Sequence, residues 1–333
     1  MSVLKVKDLK SYYISEVFGI KRTVRAVDGV YMEINRDEVF GIAGESGCGK
    51  STLIKTLLGM IKPPLTIVDG EIYYDFGDKK FNILSLNPDE SRKIRWEYIS
   101  YIPQSSMSVL NPVRRIRDTF KSFLGAHKKF EKDELEGLVK EHLSALGLPT
   151  EVLNAYPHQL SGGMRQRVTI ALASILKPKV ILADEPSTAL DVVVQRGVIQ
   201  LLRNIQEEQK NIIIIVTHDM GIHANICDRI AIMYAGKIIE EARTDEIFKH
   251  PLHPYTTYLI GSLPKIGDKS YRVSAPGSPP PLSNLPNGCS FHPRCPYVME
   301  KCKKEFPSLL NVEDEHRVAC FLVNKEDDNG ARD

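Results

Sequence analysis

The sequence carries almost no net charge: 44 Lys and Arg are set against 42 Asp and Glu, a formal +2 with histidines neutral. Basic residues are interspersed among acidic ones, which excludes the electrostatic footprint of a dedicated nucleic-acid binder. Long apolar runs are also missing. A stretch such as Ile212–Val216 falls far short of the ~20 residues that a bilayer-spanning helix needs, so a membrane role is expected to pass through a partner. No charged-then-apolar leader opens the chain, because Met1-Ser2-Val3-Leu4-Lys5-Val6-Lys7 alternates like a strand, and the expectation is a cytoplasmic protein. The six cysteines are not expected to form a disulfide framework in a reducing compartment. Whole-chain disorder is excluded by 42% hydrophobic content in 333 residues, enough for one large domain and a smaller one.

The strongest chemical signal is Gly44-Glu45-Ser46-Gly47-Cys48-Gly49-Lys50-Ser51-Thr52, which follows the apolar run Val39–Ala43 and precedes a helix-like segment from Leu53 to Leu58. It fits G-x-x-x-x-G-K-[ST] in strand, loop, helix order. Glycines let successive N–H groups point inward at phosphate oxygens, and the helix adds the positive end of its dipole. Lys50 would reach the β and γ phosphates and the Ser51 hydroxyl would bind Mg²⁺. A plain glycine turn accounts for the glycines but does not need Lys-Ser after the last of them.

Residues 3 to 13 and 24 to 35 alternate at period two, which predicts a small antiparallel sheet ahead of the loop. Tyr12 and Tyr13 end its first strand, where an aromatic face either stacks on adenine or packs on the sheet. Residues 66 to 84 read as a second hairpin, Asn87-Pro88-Asp89-Glu90 as a helix start, and Tyr98 to Pro103 as a strand running into Gln104. From Pro112 to about Leu148 the period is helical, with Ile116, Phe120, Phe123 and Leu124 on one face and a charged segment, Lys128 to Glu136, on another. Ser161 sits at the N-cap of a helix that opens with Gly162 and Gly163, a second anion-binding helix start. Val180–Glu185 is a buried strand ending in two carboxylates, at the end where parallel sheets place ligands. Two such acids are costly unless a Mg²⁺–phosphate centre compensates them. Ile212–Val216 repeats the pattern and delivers Thr217-His218-Asp219, and residues 229 to 242 close as a hairpin through Ala235-Gly236.

Taken together, the phosphate loop, Gln104, Leu160-Ser161-Gly162-Gly163, and Asp184-Glu185 followed by Asp191 and His218 resemble the ATP-binding cassette (ABC) family over about residues 3 to 250. The resemblance implies an α/β fold: a P-loop nucleotide-binding domain with a mixed sheet core, an N-terminal antiparallel β subdomain and a helical insertion, the helical subdomain covering about 112–178. It also implies two cassettes facing head to tail, so that Ser161, Gly162 and Gly163 contact the γ-phosphate of the nucleotide on the partner's phosphate loop. By the same resemblance Asp184, Ser51 and Gln104 serve Mg²⁺, Glu185 is the general base, His218 holds the γ-phosphate, Asp191 links the two sites and Tyr13 takes the adenine. The chemistry left to the protein is positioning and charge stabilisation.

A closer likeness lies outside the shared core. Pro103–Pro112, with Ser105-Ser106 where the usual form has Asp-Pro, Met164-Arg165-Gln166-Arg167, and His250-Pro251-Leu252-His253-Pro254-Tyr255-Thr256 are similar to the dipeptide and oligopeptide importer ATPases. That subfamily implies a paralogous second ATPase or a second copy, two transmembrane permease subunits docking on the helical insertion and the Gln104 loop, an extracytoplasmic peptide-binding protein, and a place on the cytoplasmic face of the membrane. The rival is a soluble DNA-repair type ABC ATPase with a zinc-binding cysteine module, against which stands the short helical interval between phosphate loop and Ser-Gly-Gly.

Residues 251–288 read as a helix followed by a stiff Pro-rich linker. Beyond it, in 289–333, Cys289, Cys295, Cys302 and Cys320 are spaced C-x5-C-x6-C-x17-C. About 45 residues bury too little apolar surface to fold alone, so a metal staple is expected. The spacing lacks the tight knuckle of structural zinc, and Cys295-Pro296 is a pairing found beside iron–sulfur clusters. The peptide-importer likeness also carries a cluster-associated tail. The expectation is a [4Fe–4S] cluster, with zinc and unliganded packing cysteines as alternatives. For Cys48 and Cys227 a small-residue packing role is expected, with the added consequence that oxidised Cys48 would block nucleotide binding.

Overall fold

The computed structural model describes residues 2–104, 109–127, 131–263, 275–313 and 315–323. The chain divides into two units, one formed by Met1–Val3, Asn35–Val39 and Tyr74–Val216, the other by Leu4–Ile34, Phe40–Tyr73 and Thr217–Asp333. Ser105-Ser106 and the start of the charged segment at Lys128 lie outside the described residues.

In the first unit, Ile99–Ile102, Val180–Asp184 and Ile212–Val216 are adjacent parallel strands, with Ile99 opposite Val180, Val180 opposite Ile212 and Asp184 opposite Val216. The last two are buried at every position, as continuous β-branched and leucine runs require of strands covered on both faces. The helix Pro88–Ile94 starts on the expected residue: Asn87 accepts from the N–H groups of Asp89 and Glu90, and Glu90 reaches back to the Asn87 N–H, a reciprocal cap. The hairpin before it closes over an aromatic group, with Tyr74 stacked between Phe76 and Phe81 and Phe76 against Tyr98. The helical segment is present as Ile116–Gly125, Lys132–Ala145 and Gly162–Ser174. Ile116, Phe120 and Leu124 are fully buried, whereas Phe123 lies half-exposed with its edge against Trp96.

In the second unit the hairpin Ser2–Val17 and Ile20–Asn35 turns through Phe18 and Gly19, both at positive φ, and Leu65–Asp75 lies on the other side of its first strand. Ala26, Val30, Met32 and Ile34 are buried as the period-two pattern predicts. Val39–Ala43 pairs in parallel with Arg229–Tyr234, and the latter turns back antiparallel into Lys237–Arg243, which makes this sheet mixed.

The C-terminal extension departs from expectation. His316–Val318 pairs antiparallel with Lys237–Arg243, with Glu240 opposite Val318, and Leu310–Glu313 continues that sheet. Phe291 is buried with its ring against Tyr234 and Tyr255, and His316 Nε2 lies 2.8 Å from Glu240 Oε1, both fully buried. The segment therefore completes the sheet and core of the unit that holds the phosphate loop. The shortage of apolar surface that called for a metal staple applies only to a free-standing module. Among the described residues no group of three or more His, Cys, Asp or Glu is arranged to hold a metal ion, so the expected metal-binding extension, as [4Fe–4S] or zinc site, is not formed here. No helix among the described residues is long and apolar enough to cross a membrane.

Candidate functional site

The phosphate loop leaves the buried strand Val39–Ala43 at Gly44, whose φ is 152°. A Cβ on Gly44 would stand 2.2 Å from the Met233 carbonyl oxygen, and one on Gly49 1.9 Å from that of Ala26. Both positions exclude any side chain. The helix Lys50–Leu57 starts at Gly49 with no side-chain cap, the kind of helix start that suits an anion. Lys50 is buried and its Nζ donates to the carbonyls of Gly44, at 2.7 Å, and Glu45, at 2.9 Å. The ammonium is thus already held over the loop by weak neutral acceptors that a phosphate oxygen outcompetes.

Glu45 is tied at three points: its N–H donates to Tyr255 Oη at 2.9 Å, and its carboxylate takes two hydrogen bonds from Arg294. Cys48 is buried, and burial pushes its thiol up against the opposing influence of the Lys50 ammonium, which leaves it poorly nucleophilic. Tyr13 Oη lies 3.3 Å from Thr52 Oγ1, so the expected adenine-stacking residue is anchored to the loop's own helix. The strand Val39–Ala43 packs closely too: a Cβ on Gly41 would meet His223 Nδ1 at 2.5 Å and Cys227 Sγ at 2.9 Å. Burial drives His223 down to about 4, so it is a neutral core residue, and Cys227 packs beside it as expected. His218 is exposed in the short loop before the helix Met220–Ile226, which Asp219 caps by accepting from Gly221 N–H.

In the other unit, Asp184 ends its strand almost completely buried, with Tyr101 Oη at 3.4 Å from Oδ2. Burial, reinforced by Asp184, pushes the Tyr101 phenol far up, so it stays a donor. Glu185 takes a left-handed conformation, φ 46°, with its N–H on the Val216 carbonyl at 2.8 Å. This turns its side chain toward two donors: Gln104 Nε2 at 2.9 Å and Thr188 Oγ1 at 2.8 Å, both to Oε2. The structure thus joins Gln104 and Glu185, predicted separately, and adds Thr188 and Tyr101. Thr188 carries a faint signal, a hydroxyl three residues after the carboxylate in a turn. Tyr101 carries none, because strand alternation alone decides where its phenol goes.

Ser161 caps the helix Gly162–Ser174 as expected, accepting from Met164 N–H at 3.2 Å. A Cβ on Gly163 would lie 2.6 Å from Val194 Cγ1, so Gly163 lets this helix start meet the helix Val192–Gln209. Asp191 caps that second helix through Val194 N–H at 3.0 Å, and the next two residues, Val192 and Val193, are about 80% exposed, at 80% and 82%.

The chain matches the ABC transporter family over residues 27–188 and a family described as oligopeptide/dipeptide transporter, C-terminal region, over residues 239–302. It is similar to the dipeptide transport ATP-binding protein DppD of Caldanaerobacter subterraneus subsp. tengcongensis, 42% identical over 326 residues that make up 97% of this chain and 98% of the relative. It is likewise similar to the oligopeptide transport ATP-binding protein OppD of Haemophilus influenzae, 39% identical over 302 residues, 90% of this chain and 92% of the relative. Among solved structures it resembles the dimeric ATP-binding cassette MJ0796 in a post-hydrolysis state bound to ADP and Pi, with 28% identity, a TM-score of 0.62, and coverage of 72% of this chain and 98% of that one.

Proposed function

The chain belongs to the ATP-binding subunits of ABC transporters, and from that premise we propose that it is the ATP-hydrolysing subunit of a dipeptide or oligopeptide importer. The observation that carries the ATPase chemistry is Lys50, buried and parked on the carbonyls of Gly44 and Glu45 beside an uncapped helix start. The loop from Gly44 to Thr52 cradles the triphosphate, with Tyr13 against the adenine. Ser161, Gly162 and Gly163 take the γ-phosphate of the nucleotide held by a second cassette, and Asp191 couples the two sites. Ser51, Asp184 and Gln104 are the residues that would hold Mg²⁺, and the buried, acceptor-rich Asp184 suits a hard cation. The metal supplies charge neutralisation of the phosphates. Glu185 acts as general base on the attacking water, with Gln104 and Thr188 fixing its Oε2, and His218 holds the γ-phosphate.

The partners proposed are a paralogous ATPase subunit or a second copy, two permease subunits and, through them, an extracytoplasmic peptide-binding protein, which puts the chain on the cytoplasmic face of the membrane. An open depression lined by Arg114, Arg115, Lys121 and Tyr156 supports docking on the helical segment. Reconstitution with cognate permeases tests this: ATP hydrolysis is expected to rise several-fold with a peptide-loaded binding protein. Stimulation by DNA instead, with no response to permeases, would overturn the transport assignment.

The four cysteines carry a finer proposal. The Cys289 N–H donates to the Cys302 carbonyl at 2.8 Å, and burial, with the other thiols adding to it, pushes Cys289 and Cys320 up to about 11. Cys289, Cys295, Cys302 and Cys320 are the residues that would hold a [4Fe–4S] cluster, or zinc, and such a centre would bind them as thiolates and release their protons. Anaerobic purification with iron, sulfide and zinc analysis decides it, and a metal-free protein would remove the proposal.

A further inference from the structure

Arg294 lies far from the phosphate loop in sequence, in the C-terminal extension, yet its guanidinium is directed at that loop. Nη1 donates to Glu45 Oε2 at 2.9 Å and Nη2 to Oε1 at 3.1 Å, a paired arrangement. The remaining donors are taken up as well: Nη1 to Tyr234 Oη at 3.3 Å, Nη2 to the Ala275 carbonyl at 3.3 Å and Nε to the Pro276 carbonyl at 2.8 Å. The side chain is only 7% exposed and sits over the rings of Tyr234 and Phe291. A surface ion pair of negligible effect does not have this burial or this full set of partners.

We propose that Arg294 is a positioning residue for the phosphate loop, neutralising Glu45 and holding the loop in the form that receives the nucleotide's phosphates. The inference deepens the ATPase reading and rests on it. Glu45 is poorly suited to touch phosphate itself. Its N–H is engaged by Tyr255, and its carboxylate would repel a ligand of several negative charges if left unpaired. Its carbonyl, however, is one of the two that hold the Lys50 ammonium. Fixing the Glu45 side chain therefore fixes the carbonyl that presents Lys50, and cancels the one acidic charge in the loop. The Pro-rich linker that leads to Arg294 also contacts the loop's surroundings, because the Leu282 carbonyl accepts from Arg25 N–H at 2.9 Å, next to the Ala26 carbonyl that closes on Gly49.

The test is calorimetric titration of full-length protein with MgATP and MgADP, paired with steady-state ATPase kinetics. Arg294→Gln is expected to bind MgATP about tenfold more weakly, the equivalent of ~1.4 kcal/mol, with a smaller loss for MgADP, a raised KM and a kcat close to wild type. Adding Glu45→Gln to that variant is expected to recover most of the affinity, a rescue that lost packing would not give. Wild-type affinity in Arg294→Gln, or a double variant as weak as the single one, would overturn the proposal. Should Arg294→Gln fail to fold, Arg294→Lys, which keeps the charge and loses the paired geometry, is read the same way, with weakened MgATP binding supporting the proposal and unchanged binding overturning it. A wild-type chain that binds no MgATP would instead sink the ATPase reading, and this inference with it.

Discussion

Glu185 shows how a single backbone angle sets up chemistry. Its left-handed φ of 46° and its N–H bond to Val216 turn the carboxylate out of the strand direction followed by Asp184, so two consecutive acids take different environments. Asp184 stays buried beside Tyr101, while Glu185 meets Gln104 and Thr188. A base that must hold one orientation gains from two donors that fix it. Glu185→Gln is accordingly expected to bind ATP normally, trap a closed cassette dimer and hydrolyse at least about a hundredfold more slowly, and turnover at the wild-type rate would remove Glu185 from the mechanism. Thr188→Val deletes a single donor to the base. Its expected cost is milder, a several-fold drop in kcat with KM for ATP unchanged, and a change confined to KM would show that Thr188 acts on binding.

Among the elements, those whose role is local were the most legible in sequence. The capped starts at Asn87 and Ser161, the buried strands Val180–Asp184 and Ile212–Val216 and the hairpin through Ala235-Gly236 all follow from side-chain period and turn chemistry within a few residues. The glycine loop was equally legible, because its demands on φ and on close approach leave no other residue type. Contacts set by long-range pairing were not: Tyr101 to Asp184 depends on the strand face, and Arg294 to Glu45 on the path of the whole C-terminal segment. His253 belongs to this second class. Read from sequence it is part of a Pro-rich motif, but in the structure its Nδ1 caps the helix Pro254–Gly261 by accepting from Tyr255 N–H at 3.0 Å.

A capping acceptor cannot carry a proton at that nitrogen, and burial, opposed only by Glu240, pushes His253 down to about 4 from the ordinary 6.5. The unfolded chain then binds a proton below pH 6.5 that the folded chain refuses until about pH 4, so stability falls as pH is lowered through that window. The expected loss from this one group is about 2 kcal/mol between pH 7 and pH 5. His253→Asn keeps a capping oxygen and does not titrate. Thermal unfolding of the two proteins at both pH values should show a smaller acid penalty in the variant, and equal penalties would mean that His253 is protonated in the folded state.

At the scale of the whole molecule, the family's C-terminal region does a different job from the one its composition suggests. A short cysteine-bearing tail after a Pro-rich linker looks like an appended module that needs its own staple, and on that view chelation should release it while truncation should be harmless. The contacts that the segment makes argue against both expectations. Strand His316–Val318 covers an edge of the sheet that carries the phosphate loop, His316 meets the carboxylate of Glu240, and Phe291 fills the space beside Tyr234 and Tyr255. Ending the chain before Cys289 would open that edge to pairing with other chains, uncover about 1.5–3 kcal/mol of apolar burial at Phe291 alone, and leave a buried Glu240 without its imidazole partner. Loss of metal from the four cysteines would remove none of these contacts. The truncated chain is therefore expected to aggregate or to melt more than about 10 °C lower, whereas stripping metals with chelator and reductant should move the melting temperature by only a few degrees. A large loss of stability on chelation, with the truncated chain behaving like wild type, would return the extension to the status of a metal-stapled appendage.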